Sequence, residues 1–124
     1  MEYTSEFDTA NELCVITVTG RVVRPRDSIL LQQFARDFEQ ARRCYKFLFD
    51  MRQAEIIGGT MDTFEAGTVP ADRDRLVRPQ YSIALLYSGD LFNHKFMEAV
   101  AVNRGYNLRV FDDIDNAMEW LEMN

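Results

Sequence analysis

Two cysteines, Cys14 and Cys44, are all the thiol this 124-residue chain carries. That is too little for a disulfide framework, and it fits a reducing compartment. Histidine is scarcer still, with His94 standing alone. No serine or cysteine lies at a recognisable motif spacing from it, so the sequence spells out neither a catalytic triad nor a zinc site. No apolar run approaches the roughly 20 residues needed to cross a bilayer. The stretch Met1 to Asn11 is acidic and lacks the charged-then-apolar pattern of a signal peptide. The expectation is a cytoplasmic protein with no membrane insertion. Positive charge is also in deficit, with 14 Lys and Arg against 20 Asp and Glu and a net charge of −6. Such a field repels a phosphate backbone, so no nucleic-acid partner is expected.

What is present is ordinary for a globular domain: 47% hydrophobic and 27% charged residues. The length fits one domain, 1–124, that buries roughly two thirds of the surface of its unfolded chain. Tyr3 to Phe7 and Leu13 to Thr19 read as an antiparallel hairpin at a sheet edge, with Cys14, Ile16 and Val18 sharing one face. Gly20 to Arg26 reads as a connector. Asp27 or Ser28 is then placed to cap a helix running to about Arg43, with Leu31, Phe34, Phe38 and Ala41 inward and Gln32, Gln33, Arg36, Asp37 and Glu39 outward.

Tyr45 to Met51 is too apolar for a strand with a wet face and belongs at the sheet centre. A loop over Gln53 to Gly59 follows. Thr60 is placed to cap a short helix through Phe64 and Ala66 that Gly67 stops, and a second helical piece spans Ala71 to Val77. Tyr81 to Tyr87 is a near-continuous apolar run, again a strand covered on both faces. Phe96, Met97, Val100 and Ala101 form the stripe of a helix that ends at Gly105. Leu108 to Phe111 resumes the sheet, and Ala117, Met118, Trp120 and Leu121 close the chain as an amphipathic helix. The class is α/β: one mixed sheet of four to five strands, parallel at the centre with an N-terminal antiparallel hairpin, and helices packed on its faces.

Candidate chemistry is sparse. Gly58, Gly59 and Thr60 offer an anion or ligand loop before a helix start, though no Gly-x-Gly-x-x-Gly or Gly-Lys-Ser/Thr is present. Asp50, Asp90, Asp112 and Asp113 follow predicted strands, where carboxylates either gather around Mg²⁺ or cap the next helix. The capping reading is the simpler, and no metal site is assigned. Cys44 beside Arg42 and Arg43 is either a reactive thiol of lowered pKa or a spacer before a strand. Arg21, Arg24, Arg26, Arg52, Arg73, Arg75 and Arg78 either converge on an acidic ligand or are dispersed in solvent. Phe64, Phe92 and Phe96 are candidates for an apolar pocket or an interface. No residue is assigned as catalytic.

Arg104 to Phe111, then Asp112, Asp113 and Ala117 to Leu121, resemble the C-terminal signature of the bacterial SpoIIAA-like proteins, small domains related to the STAS (anti-sigma-factor antagonist) fold. Leu48 to Arg52 and Ser82 to Leu86 look like that family's central strands, in matching order. The resemblance implies a non-enzymatic regulatory module with a protein partner, a homodimeric habit and no cofactor. In regulatory STAS domains an Asp-Ser-Ser/Thr-Gly-type segment after the central strand holds a phosphorylated hydroxyl. Here that place reads Ile57, Gly58, Gly59, Thr60, Met61, Asp62, so the motif is absent and Thr60 is the phosphoacceptor equivalent. Related sheets also bind lipids or other apolar ligands between helices and sheet. The alternative function is therefore a binder of a small apolar or amphipathic molecule.

Overall fold

The computed structural model describes residues 1–59, 61 and 80–124. The short helix expected from Thr60 to Ala66, the piece from Ala71 to Val77, and with them Thr60, Phe64, Arg73, Arg75 and Arg78, lie outside the described residues. In chain order the elements are β1 (Glu2–Asp8), β2 (Leu13–Val23), α1 (Arg26–Arg42), β3 (Lys46–Ile57), β4 (Ser82–Leu86), α2 (Phe92–Asn103), β5 (Asn107–Phe111) and α3 (Ile114–Met123). The strands make one five-stranded sheet in the order β1-β2-β3-β4-β5. β1 runs antiparallel to β2, and every other neighbouring pair is parallel. The expected mixed α/β sheet with its edge hairpin is what forms.

Alternation along the strands sorts side chains into two cores. Cys14, Ile16, Val18, Phe47, Phe49, Ile83 and Val110 share one core with Leu31 and Ala35 of α1. Leu13, Leu48, Ala84 and Leu86 share the other with Ala117 and Leu121 of α3. Phe47 and Ile83 are direct neighbours across β3 and β4. Trp120 packs against Phe111, ring centroids 5.8 Å apart.

Three expectations need correction. First, the connector at Gly20 and the loop at Gln53 are strand. Gly20, Arg21, Val22 and Val23 pair in parallel with Ala54, Glu55, Ile56 and Ile57. The ladder supplies their backbone groups with partners, and it buries Val22. A register shift between Thr17 and Thr19 interrupts the alternation there, which is why the second half of β2 does not read as a continuation. β4 pairs only with Lys46 to Asp50 of β3, so among the described residues the far halves of β2 and β3 form a two-stranded extension of the sheet.

Second, α1 presents a different face. Its buried line is Asp27, Leu31, Ala35 and Glu39, while Ala41 is exposed. Phe34 and Phe38 lean toward the edge hairpin, meeting Tyr3 and Phe7 edge-on at 5.2 and 5.6 Å between ring centroids. Glu39, expected outside, accepts a hydrogen bond at 3.2 Å from the Tyr81 hydroxyl and is buried by it.

Third, neither Asp27 nor Ser28 caps α1. Pro25 holds that position, and the Asp27 carboxylate instead accepts from the Val23 N–H at 2.8 Å, tying the helix start to the end of β2. Burial works against the charge on Asp27, but the Val23 N–H and Arg26 outweigh it and hold the carboxyl below its ordinary value.

Gly105 ends α2 with φ at +93°, where a side chain is strained. Its N–H bonds the Val102 carbonyl at 2.9 Å and hands the chain to buried Tyr106. Open space surrounds the position, so the conformation alone sets the cost of a substitution. Gly105→Ala is expected to lower unfolding free energy by about 1 kcal/mol in urea titration, with the slope on denaturant unchanged.

Candidate functional site

The ends of three elements meet at Arg24. The residue follows β2, and its backbone N–H bonds the Ile57 carbonyl at 2.9 Å, closing the β2–β3 ladder. The side chain turns inward until it is 4% exposed. Its Nη2 donates to the Tyr87 hydroxyl at 2.9 Å and to Nδ1 of His94 at 2.9 Å. Because a guanidinium only donates, His94 Nδ1 accepts, and the ring proton of the neutral imidazole belongs on Nε2. Tyr87 follows β4 and is held by its own N–H to the Phe111 carbonyl at 2.9 Å. His94 lies in the first turn of α2, its ring stacked on Tyr87 at 3.7 Å and 2° between planes. The Glu98 carboxylate, accepting from the Val110 N–H at 2.9 Å, clamps α2 to β5.

Electrostatics at this cluster are one-sided. Burial, then the charge on Arg24, pushes the His94 pKa down to about 4, with Asp90 opposing. Burial pushes Tyr87 upward, with Arg24 opposing. Both partners of the guanidinium are thus neutral near pH 7. No carboxylate among the described residues pairs with Arg24, and its Nε and Nη1 have no hydrogen-bond partner there. The Arg24 Cζ also lies 5.7 Å from the centre of the Tyr87 ring, a cation–π contact.

Two spaces adjoin the cluster. A cavity of about 80 Å³ lies between the sheet and helices α1 and α2, walled by apolar groups including Leu31, Ala35, Phe49, Ile83 and Met97. A polar pocket of about 310 Å³ is bordered by Gly58, Ser88, Asp90, Asn93 and His94. Arg24, Met51 and Tyr87 belong to the walls of both.

Of the residues singled out in the sequence, Gly58 borders this polar pocket, while Gly59 is exposed. Phe92 and Phe96 are 77% and 38% exposed and line neither space. Among the described residues, Arg21, Arg24, Arg26 and Arg52 do not converge. Arg52 makes a two-pronged pair with Asp50 at 3.0 and 2.9 Å, and Arg26 bonds Asp27 at 3.3 Å. Asp50, Asp90 and Asp113 are engaged separately. Asp50 sits within β3, its carboxyl lowered chiefly by the Arg52 hydrogen bond. Asp90 accepts from the Phe92 N–H, and Asp113 caps α3 through the N–H groups of Asp115 and Asn116. Cys44 is not activated: burial raises its pKa, and burial pushes Cys14 up to about 12.

The sequence presents His94 as a lone imidazole and Arg24 as one of seven arginines that either converge or are dispersed in solvent. Arg24 and His94 are 70 positions apart, and no local spacing joins them. The available signal was an arginine, a tyrosine and a histidine each at the end of a strand or the start of a helix on the same side of a parallel sheet.

No protein-family model matches the chain, and no characterised protein matches it in sequence. The fold does have solved counterparts. An anti-sigma factor antagonist from Mycobacterium paratuberculosis superposes with a TM-score of 0.56 at 12% identity, over 97% of this chain and 94% of that one. The protein therefore has a STAS-like fold.

His94 sets a pH dependence. Its ordinary value of 6.5 falls to about 4 on folding, so between these values the unfolded chain binds more protons. Stability is full above about pH 6.5 and falls as pH drops toward 4, by on the order of 2 kcal/mol once the partial exposure of the ring is allowed for. His94→Gln keeps an acceptor for Arg24 and removes the titration. Urea unfolding across this window is expected to show the slope flattened in that variant.

Proposed function

We propose that the protein is a non-enzymatic regulatory module of the cytoplasm that acts by binding a protein partner and that it self-associates as a homodimer. The observation that carries this reading is the likeness of nearly the whole chain to a protein described as an anti-sigma factor antagonist. The state of the polar groups agrees with it, since Asp50 is held in an ion pair, Asp90 bonds the Phe92 N–H, Asp113 caps a helix, and both thiols are raised away from reactivity. Phe92 and Phe96, one turn apart on α2, offer exposed apolar surface to such a contact.

Thr60 is the hydroxyl through which phosphorylation would regulate the module, on the strength of its place after the central strand. A second reading, a binder of a small amphipathic molecule between sheet and helices, is favoured by the apolar cavity that ends at a buried cation.

Size-exclusion chromatography with light scattering is expected to give a dimer that Phe92→Glu shifts toward monomer. Pull-down from bacterial extract is expected to retain a partner, and Thr60→Asp to change that retention. A strict monomer that retains nothing would sink the interaction reading. Absence of any phosphate mass on Thr60 from cells under several stresses would end its regulatory role.

A further inference from the structure

The second reading leaves open what kind of molecule the space accepts, and the surroundings of Arg24 narrow it. A guanidinium presents a planar fork of donors suited to a carboxylate. In Arg24 one nitrogen is committed to Tyr87 and His94, which fix the orientation of the fork, and Nε and Nη1 have no partner among the described residues. Among the described residues the cluster therefore holds a cation in place without neutralising it. Among the described residues Asp90 is the negative group on the polar pocket; its Oδ1 accepts from the Phe92 N–H, and it makes no ion pair with Arg24.

On the other side of the same side chain the apolar cavity begins, and its volume limits what enters. About 80 Å³ is near half of the engineered 150 Å³ cavity that accepts benzene, which leaves room for about three or four carbon atoms. Ala35, fully buried on α1, forms part of that wall.

We propose that this site binds a small monocarboxylic acid with a short apolar tail, its carboxylate on the free edge of the Arg24 guanidinium and its tail in the cavity between α1, α2 and the sheet. The inference rests on the ligand-binding reading and adds the head group, the tail length and the residue that selects them. Neutral molecules lack a partner for the buried charge. Inorganic anions satisfy it and leave the cavity unfilled. Longer acids overrun the available carbons.

The test is a nuclear magnetic resonance titration of the full chain with sodium acetate, butyrate, pentanoate and octanoate, alongside butan-1-ol and sodium phosphate. Millimolar binding that peaks at butyrate or pentanoate is expected, with shifts at Tyr87, His94 and Ala35. Arg24→Met replaces a buried charge with an apolar chain, a change that folded proteins tolerate well. It is expected to weaken butyrate at least about tenfold, equivalent to about 1.4 kcal/mol. Ala35→Met, which fills the cavity, is expected to weaken pentanoate more than acetate.

Equal binding of butan-1-ol and butyrate, or butyrate binding unchanged in Arg24→Met, would overturn the anion site while leaving the ligand-binding reading intact. Phosphate binding as tightly as butyrate, or an Ala35→Met variant with unaltered chain-length preference, would overturn the placement of the tail. If neither the acids nor the alcohol binds the folded wild-type chain, this proposal and the reading beneath it both fall.

Discussion

Covering both faces of β3 is the constraint from which the architecture follows. A strand inside a parallel sheet has hydrogen-bonding neighbours on both sides and side chains directed to both faces, and each face needs an apolar cover. Phe47 and Phe49 point into the core shared with α1, and Leu48 points into the core shared with α3. The three are fully or nearly fully buried, and this requires helices on opposite faces. The parallel neighbours β2 and β4 then require crossovers, and α1 is the one that joins β2 to β3. α2 in turn separates β4 from β5, so the cavity beneath α1 and α2 is a by-product of how those two crossovers share one face.

That constraint is also why so much of the fold was legible. The runs at Tyr45 to Met51 and Tyr81 to Tyr87 have too little polar surface to be anything except central strands, and Gly105 marks a helix end that its positive φ bears out. What stayed hidden depends on partners distant in sequence. Arg21 and Glu55 look like loop residues until the ladder pairs them, after which their exposure is that of one strand face. Glu39 looks like a surface charge because nothing nearby shows that the Tyr81 hydroxyl is waiting for it across 42 positions. Local pattern reports which face of an element is apolar on average. It does not report a single polar residue on that face whose partner comes from elsewhere.

The Arg24 cluster is the extreme case. Each member is unremarkable alone, and each is brought in by a different part of the frame: Arg24 by the far end of the β2–β3 ladder, Tyr87 by the last bond of β4 to β5, His94 by the clamp between α2 and β5. The two-stranded extension that sequence reading took for a connector and a loop is what carries Arg24 to its position. A shorter ladder would leave the residue in solvent, paired with nothing and costing nothing.

The energetics of that position argue for a role beyond packing. Among the described residues the Arg24 guanidinium is bonded only to neutral groups, whereas an apolar side chain such as methionine would need no charge partner there. His94 compounds the cost: held neutral by burial and by Arg24, it makes the fold weaker on acidification. A structure that needed only to fill this corner would do so at lower free energy with apolar residues, as it does a few ångströms away with Leu31, Ala35 and Phe49. Strain of this kind concentrates where a protein meets something else. Among the described residues no counter-charge meets this oriented cation at the mouth of a small apolar cavity, and that is the place the proposed carboxylate takes.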